Sequence, residues 1–340
     1  MYNVYLLGIG NVGKAFLKIF FEQNPKNIKS VNIANSRSLV NNVNNNSLPK
    51  ALNKISLAGG SFDVEHLLNK KDGKNIIIDC TSSKKIALMY KDFLNNNYSV
   101  ITANKISNSL DQNYYNELKQ LVNINKGVHY KYETNVGGGL PIISTIKKIT
   151  SSGDKIKSIE GILSGSISYI INTYNSNTSF VEVVRKAYQK GLTEPIPALD
   201  LSGLDVARKL LILIRETGHH IELEEVEVES LNMTKLNQKQ SLKDYFLELE
   251  SNELFYKTKL INSVSSDKRL RYIATWNGHN AKIDLKKVDS TSPFFKSLTD
   301  ENKIAIKTAY HGEQPIIIQG RGAGALRTAA GLMAELKACI

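Results

Sequence analysis

Between residues 190 and 209 the chain reads KGLTEPIPALDLSGLDVARK, which sets Glu194, Asp200, Asp205 and Lys209 among prolines and glycines just before the apolar run LLILIRE. Charged groups leading into a buried helix are costly unless they pair with each other or hold something. Asp205 and Lys209 stand at i and i+4, so a helix over about 202–217 places them on one face within reach of each other. On a solvated helix this would be an ordinary surface ion pair of little consequence. Here the apolar run draws the helix into a core, Asp200 and Ser202 lie at its start, and Glu194 precedes a Pro-x-Pro turn. Carboxylates grip an ammonium and a lysine moves a proton, so the segment is a candidate site for an amino acid.

A second lysine, Lys105, ends the segment ITANK, where an open α/β sheet keeps its ligands. Lysine ordinarily titrates near 10.4, so acid–base work requires burial or a positive neighbour; as the alternative, Lys105 is simply solvated. The six histidines fall in no metal or triad spacing, and His219 and His220 follow the helix-ending Gly218. Cys80 and Cys339 lie far apart in the sequence with no metal-type spacing, which fits a reducing compartment. Hydride and proton transfer is the chemistry that needs the fewest further groups.

The elements that must position these residues follow from periodicity. YNVYLLGIG is a strand and NVGKAFLKIFFEQ a helix, with Gly8, Gly10 and Gly13 in the GxGxxG arrangement between them. The first glycine permits a tight turn, the second lets backbone approach a pyrophosphate, and the third lets helix and strand pack closely. Asn11 and Val12 open the helix, whose N-terminus attracts negative charge. The same turn can exist without a ligand, but its place at the head of an α/β pattern points to a dinucleotide. No Asp or Glu follows the second strand, IKSVNIANSR; Ser36, Arg37 and Ser38 stand there instead, and a guanidinium matches a 2′-phosphate. NADP is therefore the expected cofactor, with NAD as the alternative.

Further strands (KNIIIDCTSS, YSVITANK) alternate with helices (KKIALMYKDFLNN, DQNYYNELKQLVNI), which predicts a doubly wound parallel sheet, a Rossmann arrangement within an α/β fold. The glycine run in VHYKYETNVGGGLP closes this region and a second α+β unit begins. Its expected features are helices over about 166–175 and 179–190, a long amphipathic helix in DYFLELESNELFYKTKLI, and a two-residue hairpin turn at Asn277-Gly278. The expected division is 1–135, completed by a strand–loop–helix at 315–340, and 136–314.

With 340 residues, 44 Lys+Arg and 32 Asp+Glu, the chain carries a net charge of +12. The lysines are dispersed without interleaved aromatics, which argues for anionic small molecules over nucleic acid. No run of 18 or so apolar residues and no signal-peptide pattern occur, so a soluble, cytoplasmic protein with no membrane partner is expected.

In LLGIGNVG, ITANK, YETNVGGGLPII, IEGILSGSISYI, GLTEP, DLSGLDVARKLLILIRETG and GRGAGALRTAAG the sequence resembles homoserine dehydrogenase, most closely the dehydrogenase half of the bifunctional aspartokinase–homoserine dehydrogenases, and neither a kinase half nor a separate regulatory domain is expected. The resemblance implies reversible, NAD(P)H-dependent reduction of L-aspartate 4-semialdehyde to L-homoserine, on the route to threonine and methionine, by a homodimer. It makes Lys209 and Lys105 the catalytic lysines, with Asp205 orienting Lys209. It makes Glu194 and Asp200 the ligands of the substrate's amino group, near Gly165 and Ser166. Thr81, Ser82, Gly322, Ala323 and Gly324 become further cofactor contacts. Glu133, Val136, Gly138 and Leu140 match a segment that binds a structural monovalent cation, sodium in the family. Leu192, Ile196, Ala198 and Leu199 stand where the family carries tyrosine, aspartates and arginine. Those four substitutions motivate the alternative of a non-catalytic or regulatory nucleotide-binding protein with a drifted pocket.

Overall fold

The computed structural model describes residues 1–69, 73–233, 241–261, 267–299 and 301–340. The chain forms two compact units, Met1–Pro141 with Gly324–Ile340, and Ile142–Ala323. Among the described residues each unit is built on a six-stranded sheet.

In the first unit the strands are β1 (Tyr2–Leu7), β2 (Ile28–Ala34), β3 (Leu39–Val40), β4 (Lys74–Asp79), β5 (Tyr98–Thr102) and β6 (Tyr130–Lys131). Their order is β3-β2-β1-β4-β5-β6, and every pairing is parallel except β2 with β3. The sequence points to this: β4 centres on Ile76–Ile78 and β5 on Val100 and Ile101, and both strands are buried along almost their whole length, as strands covered on both faces must be. Helix Asn11–Gln23 lays Phe16 and Phe20 against Val4, Leu6, Ile76 and Ile78. The C-terminal helix Ala325–Lys337 adds Leu332, Met333 and Leu336 to the same core.

The second unit carries β7 (Ile156–Ile162), β8 (Val226–Val228), β9 (Arg269–Trp276), β10 (Ala281–Val288), β11 (Asn302–Thr308) and β12 (Ile316–Gly320), in the order β12-β11-β7-β9-β10-β8. This sheet is antiparallel apart from β8 against β10. Helix Leu204–Glu216 buries Val206, Ala207 and the run from Leu210 to Ile214.

Several expectations are corrected by the local chemistry. The strand Ile316–Gly320 pairs with β11, so the chain returns to the first unit at Gly324 instead of 315. The helix expected over 202–217 runs from Leu204 to Glu216, and a separate short helix, Pro197–Leu201, precedes it. Gly203 lies between them at φ 76, and a Cβ there would meet the Tyr272 hydroxyl at 2.3 Å. The long helix expected near 244–261 stops at Ser251, because the Asn252 amide donates to the Glu248 carbonyl at 2.9 Å; shorter turns at Glu253–Tyr256 and Lys257–Ile261 continue it. The hairpin pairs Trp276 with Ala281, which makes its loop four residues long, closed by the Asn277 side chain accepting from the His279 and Asn280 N–H groups. Among the described residues no helix is long and apolar enough to cross a membrane.

Candidate active site

In the first unit the three glycines of the turn differ in what surrounds them. Gly8 has φ 92, and a Cβ on it would lie 2.7 Å from Thr81 Cγ2. A Cβ on Gly13 would stand 2.1 Å from the Gly8 carbonyl oxygen, so only glycine lets the helix start this close to the turn. A Cβ on Gly10 would meet nothing within 4 Å. The open side of the turn is thus at Gly10, at the N-terminus of a 13-residue helix whose first residues are Asn11 and Val12.

Beside the turn lies a cavity of about 370 Å³ lined by Gly8, Asn35, Ser36, Thr81, Ser82 and Lys85, with Phe62, Val64 and Ile86 as apolar walls. Phe62, Val64 and Ile86 line this cavity without a signal in the sequence. They come from a loop, a 3-10 turn and a short helix that no periodicity connects. Asn35 shapes one rim by accepting from the Arg37 and Ser38 N–H groups at 2.8 and 2.9 Å, while its own amide donates to the Ile55 carbonyl. Arg37 itself is exposed. Thr81 Oγ1 accepts from the Ser83 N–H, and Ser83 caps the helix Lys84–Leu88.

Lys105 lies in the turn after β5, two residues beyond the last β4–β5 backbone contact, Ala103 N–H to the Asp79 carbonyl. The nearby 3-10 turn Glu133–Asn135 is tied to β5 by the Thr134 hydroxyl and the Asn135 amide, both donating to the Thr102 carbonyl. The Glu133 N–H donates to Glu335 at 2.7 Å. Val136 and Gly138 are buried, Gly137 and Gly138 have φ of 72 and 60, and the Leu140 N–H returns to the Gly137 carbonyl. Among the described residues no group of three His, Cys, Asp or Glu side chains converges as metal ligands would.

In the second unit the residues of the acidic segment converge. The Lys209 ammonium sits 2.8 Å from Asp205 Oδ2 and donates at 2.8 Å to the Leu163 carbonyl, just beyond β7. Its side chain is 16% exposed against 48% for Asp205, so the lysine is sunk and its partner faces outward. Asp205 occupies the first turn of its helix, where a carboxylate is favoured. Asp200 accepts from the Ser166 hydroxyl at 2.7 Å and from the Glu194 N–H at 2.8 Å. Burial raises its carboxyl to about 6; those two donors oppose the rise, and the charges of Glu194 and Asp205 add to it.

Ser166 belongs to the helix Gly165–Thr173, capped by the Ser164 hydroxyl, and a Cβ on Gly165 would touch the Ala323 methyl at 3.7 Å. Ala323 thus lies against the start of that helix, in the loop that also holds Gly322 and, at φ 116, Gly324. The Glu194 side chain is exposed, Leu192 is half-exposed, and Ala198 is buried.

Residues 8–133 match the family model for the NAD-binding domain of homoserine dehydrogenase, and residues 141–336 match the model for homoserine dehydrogenase. The bifunctional aspartokinase/homoserine dehydrogenase of Buchnera aphidicola is 34% identical over 98% of this chain and 42% of that protein. The chain thus spans less than half the length of that relative. A crystal structure of a protein of unknown function from Candida auris superimposes with a TM-score of 0.87 at 29% identity, covering 99% of this chain and 97% of the other. A hyperthermophilic archaeal homoserine dehydrogenase in complex with NADPH shares the fold with a TM-score of 0.74 at 21% identity, over 99% of this chain and 97% of that one. By two family models that together span residues 8–133 and 141–336, the chain belongs to the homoserine dehydrogenase family.

Proposed function

We propose that the chain catalyses the reversible, NAD(P)H-dependent reduction of L-aspartate 4-semialdehyde to L-homoserine. The observation that carries this reading is Lys209, a sunk ammonium held by Asp205 and the Leu163 carbonyl beside the Asp200–Ser166 pair. Those two contacts use two of the three ammonium hydrogens, and the third is the one offered to substrate.

The substrate is an amino acid with an aldehyde at its far end. Asp200, its rotamer held by the Ser166 hydroxyl, and Glu194 bind the ammonium group. Lys209 donates to the carbonyl oxygen and gives it the proton as the hydroxyl forms; its charge stabilises the negative charge that builds on that oxygen. Asp205 keeps the lysine aimed. Lys105 is the second lysine of the reading and assists. When bound, the nicotinamide supplies the hydride. The open Gly10 position and the cavity beside Gly8 suit a dinucleotide, and Thr81, Ser82 and the 322–324 loop are its further contacts. The preference is for NADP, through Arg37. Glu133 with the carbonyls of Val136, Gly138 and Leu140 is an all-oxygen donor set, as a hard monovalent cation requires. The working form in this reading is a cytoplasmic homodimer.

The test is the absorbance of reduced nicotinamide when the purified chain receives L-homoserine with NADP+ or with NAD+. Growth of the band, faster with NADP+, is expected. A folded chain that binds the cofactor and oxidises no homoserine would instead be a nucleotide-binding protein without this activity, the reading favoured by the apolar Leu192 and Ile196 beside Glu194.

A further inference from the structure

Asp79, the last residue of β4, is completely buried, and among the described residues its side-chain partners are neutral donors. One carboxylate oxygen accepts from the Thr81 N–H at 2.7 Å. The other accepts from the Tyr90 hydroxyl at 2.6 Å and from the Asn104 amide at 3.1 Å. The Tyr90 hydroxyl also lies 2.7 Å from Thr102 Oγ1, which accepts from the Asn104 N–H at 2.8 Å. Asn104 completes the network by donating to the Ser83 carbonyl and accepting from the Ile106 N–H, each at 3.1 Å.

A buried carboxylate is expensive, and an apolar side chain would fill the end of a central strand at lower cost. Burial raises the Asp79 carboxyl, and the surrounding donors work against that rise. What the carboxylate does that an apolar group cannot is to bind two separate turns at once. One is residues 80–83, which hold Thr81 and Ser82. The other is residues 103–106, which hold Lys105.

We propose that Asp79 is a positioning residue that locks these two turns together through Asn104 and Tyr90, so that the cofactor contacts and Lys105 are set by one shared network. The roles of Thr81, Ser82 and Lys105 rest on the proposed function; the coupling of the two turns does not. Neither turn can shift alone without breaking a hydrogen bond to Asp79 or Asn104, and each broken bond leaves a buried polar group unpaired.

The experiment uses the full chain and the variants Asp79→Asn, Asn104→Ala and Tyr90→Phe. It measures amide hydrogen exchange in residues 80–83 and 103–106, the Kd for NADP+, homoserine kinetics and the melting temperature. Tyr90→Phe keeps the ring in place and should remain folded, so it decides the matter if Asp79→Asn does not fold. The expected result is faster exchange in both turns together, a Kd for NADP+ raised about fivefold and a kcat lowered about tenfold, as small misplacements of reacting groups do. The homoserine KM at saturating cofactor should stay nearly constant. Faster exchange in only one turn, or in neither, overturns the proposal, as does a folded variant with unchanged Kd. A parent chain that binds NADP+ but oxidises no homoserine removes the functional reading, while exchange and Kd still judge Asp79. If the parent binds no cofactor, the exchange result decides alone.

Discussion

Lys209 and Asp205 meet at 2.8 Å across one turn of the helix Leu204–Glu216, with the Leu163 carbonyl taking a second hydrogen from the same ammonium. A surface ion pair would leave both partners in water, but here the lysine is the more buried member, 16% exposed against 48% for Asp205. If Lys209 is the proton donor of the proposed reaction, replacing it with alanine should lower kcat for homoserine oxidation by about 10²–10⁴. The Kd for NADP+, which the proposed function assigns to the glycine turn, should hardly change. Asp205→Asn should cost less, because the Leu163 carbonyl still orients the ammonium. Steady-state kinetics beside a cofactor titration separates the two effects, and unchanged turnover in Lys209→Ala would remove the assignment.

Asp200 gives the site a pH dependence. Its folded carboxyl titrates near 6, raised first by burial from an ordinary value of 3.8. Below about 6 the group loses its charge, so if Asp200 holds the substrate ammonium as proposed, the homoserine KM should climb as pH falls through that range. Stability runs the other way. A folded pKa raised above the unfolded one contributes stability that is complete below 3.8 and is lost as pH rises through about 6. Denaturant melts at pH 4 and pH 7.5 should therefore show Asp200→Asn gaining on the parent chain as pH rises. A gap that is the same at both pH values would show that Asp200 titrates normally.

Local patterns made much of this legible. The apolar runs at β4 and β5, the glycine spacing after β1 and the i, i+4 pair at Asp205 and Lys209 each depend on residues a few positions apart. The failures have the same root. The separate short helix Pro197–Leu201 and the left-handed turn at Gly203 depend on Tyr272, far along the chain, whose hydroxyl fills the space a Cβ would need. The fate of the strand Ile316–Gly320 depends on its pairing with β11. The network around Asp79 joins residues 79, 81, 90, 102 and 104, whose spacing follows no period; TSS and TANK read only as polar strand ends. The apolar walls Phe62, Val64 and Ile86 were hidden for the same reason.

The glycine turn supports a contrast between two substitutions. In Gly13→Ala the new methyl would lie 2.1 Å from the Gly8 carbonyl oxygen, so helix and strand must separate. Overpacking of this kind should cost about 1–3 kcal/mol. Gly10 has an ordinary φ of −79 and open space beyond its Cα, so Gly10→Ala should leave stability within about 0.5 kcal/mol of the parent. Its methyl would instead occupy the face offered to a pyrophosphate and raise the Kd for NADP+. Thermal melts and cofactor titrations on the two variants should give opposite rankings. Equal loss of stability in both would mean that the turn is purely structural.

Arg37 tests cofactor choice. The end of β2 runs into Asn35 and Ser36, with no carboxylate to hold the two hydroxyls of an NAD ribose. Asn35 fixes the backbone of residues 37 and 38, and the Phe62 N–H fixes Ser36 through its carbonyl at 2.9 Å, so the turn is rigid while the guanidinium above it is exposed. A hydrogen-bonded base with an exposed cation suits a phosphate that arrives with its ligand. If Arg37 meets a 2′-phosphate, the contact is a charge-assisted hydrogen bond worth about 1.5–3 kcal/mol, so Arg37→Ala should weaken NADP+ by about 10–150-fold. NAD+ lacks that phosphate and should bind the variant as it binds the parent chain. The weakening should also shrink as salt is added, because the contact is exposed. Equal losses for both cofactors would point to a collapsed turn. No loss for either would make Arg37 a surface arginine with no part in cofactor choice.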